Sequence, residues 1–157
     1  MDQTALESQL NEPHEALYRL ISFTARDLRR RLGETLRELG MTGPQFGVLL
    51  GAWNGSNVGD IAEQMLTDPT SIGRTIDRME TAGLVERYRQ PPDRRVVWVR
   101  LRPAGREMLA DALPKHVVAA QEMLGFLDTD SRATLVDLLT EIRNQLDKVR
   151  SSETSTK

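Results

Sequence analysis

The stretch Asp68–Arg102, DPTSIGRTIDRMETAGLVERYRQPPDRRVVWVRLR, decides the fold because its hydrophobic period changes midway. In its first half Ile72, Ile76 and Met79 recur at spacings of four and three, which predicts an amphipathic helix with one buried side. Asp68 caps this helix ahead of a proline at its first position, and Gly83 ends it.

After the helix the hydrophobic period falls to two. The segments 84–88 and 96–101 are therefore predicted as strands, and the turn-rich, basic segment 89–95 joins them. A two-stranded basic hairpin directly after a helix of this kind is typical of a wing.

Further helices are predicted on both sides of this stretch. Upstream lie a short helix capped by Asn57, a helix opened by the capping box Thr42–Gln45, and a long helix over 12–39. Downstream, one helix begins at 103 and a last helix covers about 130–149. We therefore expect a mainly α fold with a small β-hairpin wing, a winged helix-turn-helix between N- and C-terminal dimerization helices.

Composition narrows the class of protein. The chain has 157 residues and no cysteine, so one domain is expected and thiolate metal sites and disulfides are excluded. No run of about 18 apolar residues is present, and the N-terminus lacks the pattern of a secretory signal. The sequence also lacks a phosphate loop and a nucleophile elbow. We expect a cytoplasmic protein that is not an enzyme and needs no cofactor.

Charge is unevenly distributed. Thr70–Arg106 carries nine arginines and four acidic residues, a net charge of +5, although the whole chain has a net charge of −2. A local basic block on an acidic protein indicates a polyanion partner. The alternative is a solvated arginine-rich face, and the placement of the arginines favours the first interpretation.

The predicted helix after Asp68 has an outward face suited to duplex DNA. Arginine pairs with guanine edges in the major groove, and hydroxyls bind phosphates or base edges. Its outward positions are predicted to be Thr70, Ser71, Arg74, Thr75 and Arg78. The alternative is an ordinary solvated amphipathic helix.

The wing tip carries Asp93, Arg94 and Arg95. Arginines at a wing tip can enter the adjacent minor groove, where they sense narrow A·T-rich geometry. Asp93 is predicted to orient Arg95 through a bidentate ion pair.

Five short stretches resemble the MarR family, the multiple antibiotic resistance regulators. They are QFGVLL at 45–50, DIA at 60–62, RTIDRME at 74–80, AGLVER at 82–87 and DRR at 93–95. The Asp-x-Arg signature at Asp93 and Arg95 is the most specific of them. The resemblance is good over 42–109 and rests on pattern alone in the flanking helices. Arg102 departs from the pattern, which usually has a threonine cap there.

The resemblance implies one MarR-like domain over 1–157. Within it, 42–102 would be the DNA-binding lobe, 12–40 and 103–150 the dimerization helices, and 151–157 a flexible tail. It also implies a homodimeric repressor or activator, often released by a small aromatic or phenolic ligand. A two-fold dimer with one reading helix per subunit in turn predicts a palindromic operator. Of these two kinds of regulator, we expect this chain to be a ligand-responsive repressor.

Four residues are candidates for an effector pocket, namely Tyr18, Phe23, Trp53 and His116, although core packing is an alternative for each. Two other functions stay open. His14 or His116, with Glu12 or Glu15, could serve a metal-responsive regulator, although no metal ligands are assigned. The winged helix could also be a protein-interaction module.

Overall fold

The computed structural model describes Glu7 and residues 9–154. Six helices and two strands follow one another over residues 13–154. They are α1 (Pro13–Glu38), α2 (Gly43–Trp53), α3 (Val58–Gln64), α4 (Pro69–Thr81), β1 (Val85–Tyr88), β2 (Trp98–Leu101), α5 (Pro103–Leu124) and α6 (Thr129–Thr154). The predicted order and the mainly α fold class with a hairpin wing are confirmed.

The helix starts of the helix-turn-helix follow the predicted caps. Thr42 and Gln45 form the complete capping box of α2. The Asn57 side chain accepts a hydrogen bond from the amide of Asp60 at 3.0 Å, and Asp68 accepts one from the amide of Ser71 at 2.9 Å. Because each cap satisfies an otherwise unpaired helical amide, these three starts are specified locally.

The wing is an antiparallel pair in which Val85 faces Leu101 and Tyr88 faces Trp98. Its strands are shorter than predicted, because residues 96 and 97 leave the ladder. The Val97 carbonyl instead accepts a hydrogen bond from the amide of Val58 at 3.1 Å, so the hairpin is also tied to the start of α3.

One hydrophobic core holds the helix-turn-helix, the wing base and the start of α5 together. Its fully buried side chains come from α2, α3, α4 and both strands, and include Val48, Leu49, Ile61, Ile72, Ile76, Met79, Val85 and Val99. The predicted inward side of α4 is confirmed by Ile72, Ile76 and Met79, each at most 1% exposed.

The chain divides into two compact units between Ala119 and Ala120. In the second unit α6 continues to Thr154, so residues 151–154 of the predicted flexible tail are helical, and 155–157 lie outside the described residues. Over the described part of the chain, no helix is both long and apolar enough to cross a membrane.

The start of α5 packs so closely on the wing base that a side chain at residue 105 would overlap the Leu84 carbonyl oxygen. We predict that Gly105→Ala lowers the free energy of unfolding by about 1–3 kcal/mol, because a backbone atom is harder to displace than a side chain. Gly43→Ala is the matched control, since a Cβ there meets nothing within 4 Å. Urea denaturation of both variants measures the difference, and equal stabilities would contradict this packing.

Candidate nucleic-acid interface

The surface of α4 presents four of its five predicted site residues. Thr70, Ser71, Arg74 and Arg78 are exposed. Hydrogen bonds from Ser71, through its hydroxyl and its amide, hold the pKa of Asp68 below its usual value. The first turn of α4 is therefore capped by an ionised carboxylate at neutral pH, and the helix presents its hydroxyls and guanidiniums along one exposed face.

The outward placement of Thr75 was wrong. Its side chain is buried, with 4% exposure, and its hydroxyl donates to the Ser71 carbonyl at 3.2 Å. A threonine oxygen that bonds back to the carbonyl four residues earlier satisfies itself within the helix. Thr75 therefore belongs to the inner flank of α4 beside Ile76.

The wing tip is exposed at Asp93, Arg94 and Arg95. The predicted bidentate pair between Asp93 and the Arg95 guanidinium does not form in the described chain. The carboxylate instead accepts from the Arg95 backbone amide at 2.8 Å, because a carboxylate two residues ahead of an amide closes a local turn. Arg89 donates to the Arg94 carbonyl at 2.8 Å, which fixes the other side of the loop.

Arg87, at the third position of β1, appears in the sequence analysis only within the basic block and the stretch 82–87, and no site role was predicted for it. Its guanidinium lies 2.8 Å from both Asp77 and Glu80 and donates to the Gly73 carbonyl at 3.0 Å. Glu80 also accepts from the Arg87 amide at 2.9 Å, and this hydrogen bond is the main cause of its lowered pKa. The signal available in the sequence was the pair of acids Asp77 and Glu80, three residues apart on one flank of the helix.

A second ion-pair group covers the wing surface. Arg100 lies 2.6 Å from Glu86 and its guanidinium sits 5.1 Å from the centre of the Tyr88 ring. Arg102 shares the same carboxylate at 3.5 Å. Three arginines of the basic block, Arg87, Arg100 and Arg102, are thus paired with acids of the fold. The arginines of α4 and of the wing tip are exposed.

A cavity of about 640 Å³ lies behind α4. His116 lines it, with its ring 4.5 Å from that of Phe46, and burial lowers the pKa of His116. Its Nδ1 is buried without a hydrogen-bond partner among the described residues. Other lining side chains include Arg29, Leu32, Leu36, Leu50, Met65, Ser71, Ile72 and Thr75.

The other three effector candidates lie outside this cavity lining. Tyr18 and Phe23 are 65% and 52% exposed on α1. Trp53 is 64% exposed because the core side of α2 runs through Leu49 and Ala52, which leaves its last residue outside. Of the four candidates, His116 alone is placed at the cavity.

The histidine–carboxylate cluster proposed for a metal is not assembled in the described part of the chain. No group of three histidine, aspartate or glutamate residues there could hold an ion. Glu12 instead caps α1, accepting from the amides of His14 and Glu15 at 2.9 and 3.1 Å.

Comparisons with known proteins agree with this fold. The MarR family model matches residues 41–97. The chain is 28% identical over 92 residues to the HTH-type transcriptional regulator YdgJ of Bacillus subtilis, covering 59% of this chain and 56% of YdgJ. It is 34% identical over 110 residues to the HTH-type transcriptional regulator TtmR of Methylorubrum extorquens, covering 68% of this chain and 54% of TtmR. It thus spans about half the length of these two relatives.

A solved structure extends the likeness beyond the lobe. A mutant of MarR from Escherichia coli, crystallised with operator DNA, has a TM-score of 0.69 and 29% identity, covering 81% of this chain and 93% of that one. That share of the chain is larger than the stretch 41–97 that the family model matches. The family model shows that residues 41–97 form a MarR-family domain, and the relatives and the shared fold agree with it.

Proposed function

We propose that this chain is a transcription regulator that binds duplex DNA, with α4 in the major groove and the wing tip in the adjacent minor groove. The observation that carries the proposal is the pair of exposed arginine sites, Arg74 and Arg78 on α4 and Arg94 and Arg95 on the wing. Major-groove bases and narrow minor grooves are the two features that arginine reads. The related MarR structure was crystallised with operator DNA, which supports DNA as the partner.

Dimerization through the terminal helices is the second part of the proposal. On α1, Leu17, Leu20 and Phe23 are each about half exposed or more, at 49%, 65% and 52%. On α6, Leu135, Leu138, Leu139, Ile142 and Leu146 form an exposed apolar stripe. Soluble proteins rarely leave such stripes uncovered, and a two-fold partner covers both. A two-fold dimer then needs a palindromic operator with half-site centres about 10 base pairs apart.

Ligand response is the third part. The cavity touches α4 through Ser71, Ile72 and Thr75, so an occupant would press on the reading helix itself. Its mainly apolar lining, with the tilted His116 and Phe46 rings 4.5 Å apart, fits a small aromatic or phenolic effector. An effector that displaces α4 would release DNA, which makes the protein a ligand-responsive repressor that acts in the cytoplasm.

Salt dependence tests the DNA-binding proposal. If each protomer neutralises about three phosphates, the logarithm of the binding constant should fall against the logarithm of salt with a slope of about −5. Fluorescence anisotropy of a labelled random-sequence duplex measures this slope. Salt is varied from about 50 to about 200 mM, a range over which counterion release changes the affinity steeply. If the protein does not bind the duplex, or if its affinity does not change with salt, the DNA-binding proposal fails. The alternative of a protein-interaction module would then be favoured.

Replacement of Asp93 separates turn formation from charge. Loss of a carboxylate near DNA should tighten binding by electrostatics alone. We expect Asp93→Ala to weaken binding instead, by about 1 kcal/mol, because the Arg95 amide loses its acceptor and the tip loses its fixed shape. Asp111→Ala, an exposed acid on α5, is the control for a general charge effect. Tighter operator binding by Asp93→Ala at fixed salt would show that the acid is only a tolerated charge.

If the effector binds in the cavity, a substitution that fills the cavity should abolish the effect of the ligand on melting temperature and on DNA binding. Phenolic acids such as salicylate should raise the melting temperature and weaken DNA binding. Gly33→Leu places a side chain into the cavity from α1, where a Cβ meets nothing closer than the Arg37 side chain at 3.9 Å. This variant should bind DNA normally yet lose both ligand effects. Equal ligand effects in Gly33→Leu and the wild type would place the effector elsewhere.

A further inference from the structure

Arg87 joins the wing to three successive turns of α4. Its Nη1 lies 2.8 Å from carboxylate oxygens of both Asp77 and Glu80, and its Nη2 donates to the Gly73 carbonyl at 3.0 Å. Glu80 closes a second contact through the Arg87 amide. The three α4 partners lie at spacings of four and three, so they form one flank from the second turn to the last turn of the helix.

The reading arginines lie on the same helix, next to these anchor points. Arg74 follows Gly73, and Arg78 follows Asp77. A rotation of α4 about its axis that displaced Gly73 and Asp77 would therefore displace both reading arginines equally. Ile72, Ile76 and Met79 hold the inner side of the helix, but apolar contacts tolerate small rotations better than directed hydrogen bonds do.

We propose that Arg87 is a positioning residue for sequence reading: it fixes the rotation of α4 relative to the wing, so that Arg74 and Arg78 meet base edges in one register. This inference rests on the proposed DNA-binding function. The Arg87 side chain is 27% exposed and its guanidinium is occupied by protein acceptors, so it acts through α4 and not by contacting phosphates. Its loss should therefore reduce discrimination between sequences more than general attraction to DNA.

Lysine at position 87 is the sharpest substitution. It keeps the positive charge next to both acids, but a single ammonium on a flexible stem lacks the planar fork that reaches Gly73 and two carboxylates together. The charge of the surface is unchanged, so attraction to any duplex should persist. The direction in which Arg74 and Arg78 point should no longer be fixed.

The experiment first selects a preferred duplex from a random 30-base-pair library with wild-type protein. The affinities of each variant for that duplex and for the unselected pool are then measured at one salt concentration. Arg87→Lys should lower the ratio of selected-duplex affinity to pool affinity about tenfold, because that is roughly the cost of one bidentate base contact. Its affinity for the pool should change less than about twofold. Arg100→Lys is the matched control, because Arg100 pairs with Glu86 across the hairpin, and its ratio should stay within about twofold.

Asp77→Ala keeps the test decisive even if Arg87→Lys fails to fold, because this carboxylate is 64% exposed. Removal of its charge should tighten binding to the pool, whereas loss of an Arg87 anchor should lower the ratio. An unchanged ratio in either folded variant overturns the inference, since a purely structural role would alter only the melting temperature. A wild-type protein that enriches no sequence overturns the proposed function itself.

Discussion

Substitution of both Leu139 and Ile142 with glutamate is expected to give monomers or insoluble protein. These side chains are 43% and 39% exposed on the apolar stripe of α6, and burial of two charges in an apolar interface is strongly unfavourable. A soluble monomer would bind one half-site only, so its operator affinity should fall about 10²-fold or more. Sedimentation velocity gives the oligomeric state, and anisotropy gives the affinity.

The control for this variant adds the same charges to the other side of α6. Thr140 and Asn144 are exposed and lie opposite the stripe by helical spacing. Thr140→Glu with Asn144→Glu should therefore remain dimeric and bind DNA. A soluble Leu139→Glu, Ile142→Glu protein that still sediments as a dimer would refute the assignment of this stripe to the subunit interface.

The second large effect is expected at Arg74. Arg74→Ala should weaken binding to the preferred duplex by about 1–3 kcal/mol and relax the preference at one base position, as expected for loss of a bidentate contact to guanine. Arg30→Ala is the control, because this exposed arginine of α1 pairs with Asp27 and Glu34. Quantitative selection with each variant measures both the affinity and the base preference.

Two outcomes at Arg74 would contradict a reading role. If Arg74→Ala weakens the preferred and random duplexes equally and lowers the salt slope by about two, one for each protomer, the side chain contacts a phosphate only. If neither affinity changes, α4 does not enter the groove along this face.

Local signals made much of the fold predictable from sequence. The caps at Thr42, Asn57 and Asp68 each depend on atoms within three residues, and the buried side of α4 depends on one helical period. Thr75 shows where such reasoning stops. A polar residue next to Ile76 reads as outward, yet its hydroxyl bonds within the helix and allows burial.

The site was harder to predict because its contacts join distant parts of the chain. Arg87 reaches back 14 residues to Gly73, and the cavity combines side chains from α1, α2, α4 and α5. Effector candidates chosen for aromatic character therefore included Tyr18, Phe23 and Trp53, which are exposed. They omitted Phe46, whose ring contacts that of His116. Residue type alone does not show which side chains share a cavity.

Hydroxyl-radical footprinting of a genomic fragment retained by the purified protein is the decisive measurement for a dimeric, groove-reading regulator. We expect protection with two-fold symmetry, in two patches whose centres lie about 10 base pairs apart on an imperfect palindrome. A single asymmetric patch, or uniform weak protection without a preferred position, would contradict a dimer that presents one α4 to each half-site.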